Sequence, residues 1–298
     1  MIKIAIPGMY EHRIFNDLFL DIKNTKKEWF YEDTEVCAVY GNPQFCIWDG
    51  GRIFPKYEMA NREEISKTIE IYNNKYNIPI RYVFTNNQLK ETDYYNKFGN
   101  VLLNLGNNSE NEIVISDNNF RDFLKEKWNY KFISSTTKCL NTEKLAKEEL
   151  NDDNFSLVCL DYNLNRKINF LSSLNEEEKE KVELLVNPIC KLGCQYRKEH
   201  YRLNSIHNLQ FGKKYGMEEC NIVNSLGLFE SHHILRKDIE DIYVPIGINT
   251  FKIEGRTWDI TKLAIVYGEY FVKPEFMREY LYVILREVEE LRNENLIH

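Results

Sequence analysis

Ile113-Val-Ile-Ser-Asp-Asn-Asn-Phe-Arg-Asp-Phe-Leu-Lys-Glu-Lys-Trp-Asn-Tyr-Lys-Phe-Ile-Ser134 holds one complete β/α/β unit. Ile113–Ile115 is a short apolar run with the look of a strand, Asn119–Lys127 is an amphipathic helix, and Lys131–Ser134 is the next strand. A helix between two strands lets them run parallel, and a chain repeating this unit builds a sheet with helices packed outside it.

The rhythm extends in both directions. Upstream, Ile2–Ile6, Glu35–Tyr40 and Ile80–Phe84 read as strands. They alternate with helical patterns around Ile14, Leu18 and Ile22, over Arg62–Tyr76 with Ile65, Ile69 and Tyr72 on one face, and near Tyr94–Leu105. Downstream come the helix Thr142–Leu150, the strand Ser156–Leu160, the helix Asn175–Lys181 and the strand Glu183–Val186. The eighth strand is Thr250–Ile253, and two helices, about Asp259–Phe271 and Pro274–Arg292, follow it. Eight units predict an α/β chain folded as a single TIM-type (β/α)8 barrel over residues 1–298, with an insertion at 187–235 between strands seven and eight. No GxGxxG follows the first strand, which argues against a dinucleotide-binding doubly wound sheet.

With 43% apolar and 29% charged residues, the composition is that of a globular chain with a sizeable core. A net charge of −7 argues against nucleic acid as a partner, which calls for a basic face. No apolar run reaches the ~18 residues of a membrane span. The opening Met1–Tyr10 reads as a strand and turn rather than a signal peptide, so the expected location is cytoplasmic. In that compartment seven cysteines do not make a disulfide framework.

Barrel chemistry sits at the C-terminal strand ends. Here that rim collects Tyr40, Trp48 and Arg52 after strand two, Ser134–Thr137 after strand five, and Asp161 and Tyr162 after strand six. Asn187 follows strand seven, and Glu254 and Arg256 follow strand eight. We expect Asp161, Asn187, Glu254 and Arg256 to be catalytic, a carboxylate serving as base or orienting a polar substrate. The alternative for Glu254 and Arg256 is an ion pair holding the last loop. Arg52 and Arg197 suit an anionic group, because a guanidinium grips a carboxylate or phosphate with two donors; a loop-fixing bond to a backbone carbonyl is the other reading. His200 is a polar contact near the substrate or, like His207, a metal ligand in place of one cysteine, and Tyr40, with Trp48 and Tyr162, is placed to stack on a planar substrate. Gly50-Gly51 marks a tight turn or a close approach. Ser134–Thr137 binds substrate or caps the helix after it.

Cys190 and Cys194 stand three residues apart in the insertion, with Cys220 further on and Cys46 on the same predicted rim. Four such thiolates suit a [4Fe-4S] cluster or a structural zinc. The absence of CxxC knuckles favours iron–sulfur. Cys37, Cys139 and Cys159 read as buried or loop thiols. His232 and His233 are adjacent, and in a strand or helix they would point apart.

Several of these stretches resemble one family. Phe251-Lys-Ile-Glu-Gly-Arg256, with Ile234–Asp238, Tyr243 and Gly247 before it, is similar to the strand-eight signature of the collagenase-like peptidase U-32 superfamily. The loop from Asn187 to His200, CxxxCxxRxxH, resembles that of its shorter members. Tyr40-Gly followed by Cys46 resembles the strand-two end of its anaerobic ubiquinone-biosynthesis members. The resemblance implies an iron–sulfur barrel in which Cys46, Cys190, Cys194 and Cys220 hold a [4Fe-4S] cluster. Such members support oxygen-independent hydroxylation of an RNA base or a quinone precursor. The longer glycine-rich cysteine block of the RNA-modifying members is absent, which argues against an RNA substrate.

Three functions stay open. The first is a redox or hydroxylating enzyme acting on a small or peptide-linked substrate. The others are a peptidase-like hydrolase and a non-catalytic, cluster-bearing partner subunit of another protein.

Overall fold

Eight strands close into one parallel barrel in chain order: β1 (Ile2–Pro7), β2 (Thr34–Tyr40), β3 (Ile80–Phe84), β4 (Glu112–Ile115), β5 (Lys131–Ser134), β6 (Leu157–Cys159), β7 (Val182–Leu185) and β8 (Thr250–Lys252). The closing pair is β1 with β8, in the register Lys3 to Thr250 and Ala5 to Lys252. The computed structural model describes residues 1–53, 60–210, 230 and 232–293. The (β/α)8 barrel expected from the sequence is therefore the observed architecture. No helix among the described residues is long and apolar enough to cross a membrane.

The helices outside the barrel are α1 (Arg13–Thr25), α2 (Arg62–Glu70), α3 (Lys97–Leu105), α4 (Asn118–Lys125), α5 (Glu143–Leu150), α6 (Ile168–Ser173), α7 (Glu176–Lys181), α8 (Arg197–Leu209), α9 (Arg236–Asp238), α10 (Ile260–Phe271) and α11 (Met277–Asn293). Several of their starts are set by side chains that accept otherwise unpaired backbone N–H groups. Asn61 with Glu64 and Asn175 with Glu178 make reciprocal capping boxes, while Asp117, Thr142 and Asp259 cap α4, α5 and α10. An isolated bridge, Phe30 to Val272, ties the β1–β2 connection to the end of α10. Around it Phe15, Phe19, Phe30, Tyr267, Phe271 and Tyr280 pack edge to face or tilted.

Side chains alternate along each strand between the helices and the barrel axis. Ile2, Ile4 and Ile6, Ile80, Tyr82 and Phe84, Ile113 and Ile115, and Val182 and Leu184 join the main core under the helices. The alternate positions form a separate cluster of Ala5, Ala38, Tyr40 and Val83, with Cys37 against it. Small residues leave room there for long charged ones. Arg81 donates from Nε to Glu112 at 2.5 Å and from Nη1 to Glu183 across the barrel. Lys252 Nζ lies 4.0 Å from the other Glu183 oxygen and 4.1 Å from the Tyr40 ring centre. Cys37 and Cys159 share this interior, and burial pushes both thiols up to about 12.

Two guanidinium bonds to two buried carboxylates make Arg81 the joint of this network. Removing one member of a buried ion group strands the rest, typically at about 3–5 kcal/mol. Arg81→Met is therefore expected to lower stability by about 3–5 kcal/mol in urea denaturation. Adding Glu112→Gln to that variant, which leaves Glu183 balanced by Lys252, should recover most of the loss.

Candidate functional site

At the C-terminal end of the barrel, three arginines are each held by a carboxylate from another loop. The first pair begins with Asn42, just past β2. Its amide donates to Val83 O at 2.6 Å and accepts from Val83 N at 3.0 Å, extending the β2–β3 ladder with a side chain. The same Nδ2 donates to Asp49 Oδ2 at 2.9 Å. Arg256 Nη2 donates to that oxygen at 2.6 Å, and its Nε donates to Glu11 Oε1 at 2.8 Å. Burial works against the Arg256 charge, but Asp49 and Glu11 hold its pKa above the ordinary value. Among the described residues, the buried Asp49 Oδ1 and Glu11 Oε2 have no hydrogen-bond partner.

Arg52 and Glu254 form the second pair, both partly exposed at the mouth. Asn187 fixes Glu254 from behind. Its Nδ2 donates to Glu254 O at 2.9 Å and its Oδ1 accepts from Glu254 N at 2.6 Å. The other Glu254 carboxylate oxygen accepts from Ile189 N at 2.9 Å. Arg52 is also a charge neighbour of His200, whose pKa burial and then Arg52 push down.

The third pair stands over β5 and β6. Arg197, the first residue of α8, places Nη1 2.8 Å from Asp161 Oδ2 and donates from Nη2 to Thr136 O at 2.6 Å. Its guanidinium lies 4.1 Å over the Tyr162 ring and 5.5 Å over that of Tyr201. The Asp161 contact is charge pairing without hydrogen-bond alignment, and among the described residues the buried Asp161 Oδ2 and Arg197 Nε have no hydrogen-bond partner.

Helix α8 locks these pieces together. Asn208 donates to Asp49 O at 2.7 Å and to Arg52 O at 2.9 Å, and Asn204 donates to Gly51 O at 3.4 Å. Gly50 is the close approach expected from the Gly-Gly pair: a Cβ there would meet Ser205 Oγ at 2.4 Å and Asn86 Cα at 2.5 Å.

Arg52, Asp161, Asn187, Arg197, Glu254 and Arg256 thus stand together at the barrel mouth, with several roles redrawn. Glu254 and Arg256 do not pair with each other; each takes a partner from the N-terminal part of the chain. Tyr40 is buried, donates its hydroxyl to Ile253 O at 2.6 Å and has Lys252 against its ring, which leaves no face for stacking. Trp48 is a core residue, with Nε1 donating to Asp93 O at 2.9 Å and its ring against Phe84, Phe120 and Gly99. Ser135 accepts from Thr137 N at 3.2 Å, the capping reading of that run. The adjacent histidines, expected to diverge, converge on Pro188 O at 3.3 Å each, because they sit in a turn rather than a strand or helix. Sequence reasoning missed Glu11, Asn42 and Asp49. Glu11 follows β1, where the rim rule applies as it does after β2.

The described thiols do not gather into one set. Cys46 lies in the main hydrophobic core, and burial pushes it up to about 12. Cys190 and Cys194 are half-buried in the loop before α8, held by Tyr162 to Lys191 O at 3.2 Å and by Gly193 N to Asn163 Oδ1 at 2.8 Å. Cys220 lies outside the described residues. Among the described residues no group of three or more His, Cys, Asp or Glu side chains is placed to hold a metal.

No family model and no curated protein matches the chain. Among solved structures it is similar to a U32 peptidase, with a TM-score of 0.50 and 11% identity over 85% of this chain and 92% of that one. The likeness is one of fold. It agrees, at that level, with the resemblance carried by Lys252–Arg256.

Burial, with His232 beside it, draws the His233 pKa from 6.5 down to about 4, and burial also lowers His12 and His200. Each stays neutral in the folded chain where the unfolded chain takes a proton. Stability is therefore full above 6.5 and is lost as pH falls toward about 4. The urea midpoint should drop between about pH 7 and about pH 4.5, and less steeply in His233→Gln.

Proposed function

We propose that the chain is a hydrolase for a small or peptide-linked substrate bearing a carboxylate, bound at the barrel mouth. The observation carrying this reading is the Arg52–Glu254 pair, which joins a strong anion ligand to a carboxylate held on its other oxygen by Ile189 N–H. A substrate carboxylate that takes the Arg52 guanidinium frees one Glu254 oxygen. Glu254 then accepts a proton from the water that attacks the scissile carbonyl carbon, and passes it to the departing amine. The C–N bond breaks, one water is consumed, and an acid and an amine leave. The U32 peptidase title of the structure similar in fold favours a peptide-like bond.

A second reading is the iron–sulfur one, favoured by Cys190 and Cys194 standing half-buried on the same rim. Since the described thiols are not grouped, we route no chemical step through a cluster.

The test is turnover of a panel of acidic dipeptides and N-acyl amino acids. Glu254→Gln is expected to cut kcat by about 10²–10⁴, and Arg52→Lys to raise KM while sparing kcat. Unchanged turnover in Glu254→Gln would remove this reading. Iron and sulfide in anaerobically purified protein, lost in Cys190→Ala, would move the case to the redox enzyme.

A further inference from the structure

We infer that His232 and His233 are positioning residues for Glu254, acting through the one peptide group that joins Pro188 to Ile189. The inference rests on the reading of Glu254 as the proton-accepting carboxylate.

Hydrogen bonding determines where the imidazole protons sit. His233 Nδ1 accepts from Glu230 N at 3.1 Å, so that nitrogen carries no proton and the neutral ring bears its hydrogen on Nε2. Nε2 stands 3.3 Å from Pro188 O. His232 Nε2 reaches the same oxygen at 3.3 Å, and since a carbonyl only accepts, His232 also donates from Nε2. The two rings meet edge to face, with centroids 4.7 Å apart and planes at 72°, so each braces the other. The carbonyl oxygen has two lone pairs and takes both donors.

The far side of that peptide group is Ile189 N–H, which donates to Glu254 at 2.9 Å. Donors on a peptide carbonyl polarise the group and strengthen what its N–H gives. Glu254 is then held from three sides: Ile189 N–H on one carboxylate oxygen, Arg52 on the other, and Asn187 on its backbone. Arg52 is the contact a substrate anion would take. The peptide bond is the one that keeps the carboxylate aimed after Arg52 has been taken. His233 is nearly sealed from solvent at 3% exposure and His232 is half-buried, so His232 is the position to vary without opening the core.

The experiment uses the ¹⁵N-labelled full chain. In wild type, the His233 ring should show a bare Nδ1 and a protonated Nε2, and Glu254→Gln should shift the Ile189 amide. His232→Ala should move the Ile189 amide proton upfield with the other barrel amides in place, and should lower kcat about fivefold at little-changed KM. His232→Gln, which keeps a donor, should return both toward wild type. An Ile189 amide unmoved in His232→Ala, or a protonated His233 Nδ1, would overturn the inference. A wild-type chain inactive on the whole acidic panel would end the hydrolytic reading separately, since the amide shift is read without turnover.

Discussion

Arg81 spans the inside of the barrel, from Glu112 beside it on β4 to Glu183 on β7. A barrel axis is ordinarily filled by branched apolar side chains. This one is filled by a compensated set of charges, and the neighbouring residues fit that choice. Ala5 and Ala38 are small enough to admit the long side chains, and the Cys37 and Cys159 thiols stay protonated beside them. Lys252 supplies a second cation near Glu183 and lies against Tyr40, which in turn bonds Ile253 just before Glu254. The floor under the mouth is thus tied to its rim through one tyrosine.

Above that floor the same logic repeats with arginine. Each guanidinium is desolvated enough to need a carboxylate, and each carboxylate comes from a different loop: Asp49 and Glu11 for Arg256, Glu254 for Arg52, Asp161 for Arg197. Arg52 and Glu254 keep partial exposure, whereas the other pairs are nearly sealed. That gradient separates a pair able to exchange partners from pairs that hold the loops. It also explains why Arg256, chosen from sequence as catalytic, is engaged chiefly with the chain itself.

The barrel was legible because its strands are short and apolar and its helices carry both spacing and caps. Asn61, Asp117, Thr142, Asn175 and Asp259 mark helix starts in the sequence as clearly as in the structure. The rim was legible in outline, since strand ends follow from strands. What was not legible was partner choice. Asp161 and Arg197 lie 36 positions apart, and nothing local joins them. Arg81 reads as part of a buried strand, and its charge acquires meaning only when β4 and β7 face it. Cys46 shows the limit of rim reasoning: its loop lies above the barrel, but the side chain turns into the core.

Most contacts that assemble the mouth join distant stretches of chain: Glu11 with Arg256, Arg52 with Glu254, Asp49 with Asn208. Such contacts become available only after the long loops between them have closed, and closing them costs entropy before any contact repays it. During synthesis, β1 and the loop after β2 must wait for β8 to emerge before their charged side chains find partners. A nascent chain therefore carries Glu11 and Arg52 in water until Arg256 and Glu254 arrive behind the last strand, whereas Asp161 and Arg197 have each other well before it.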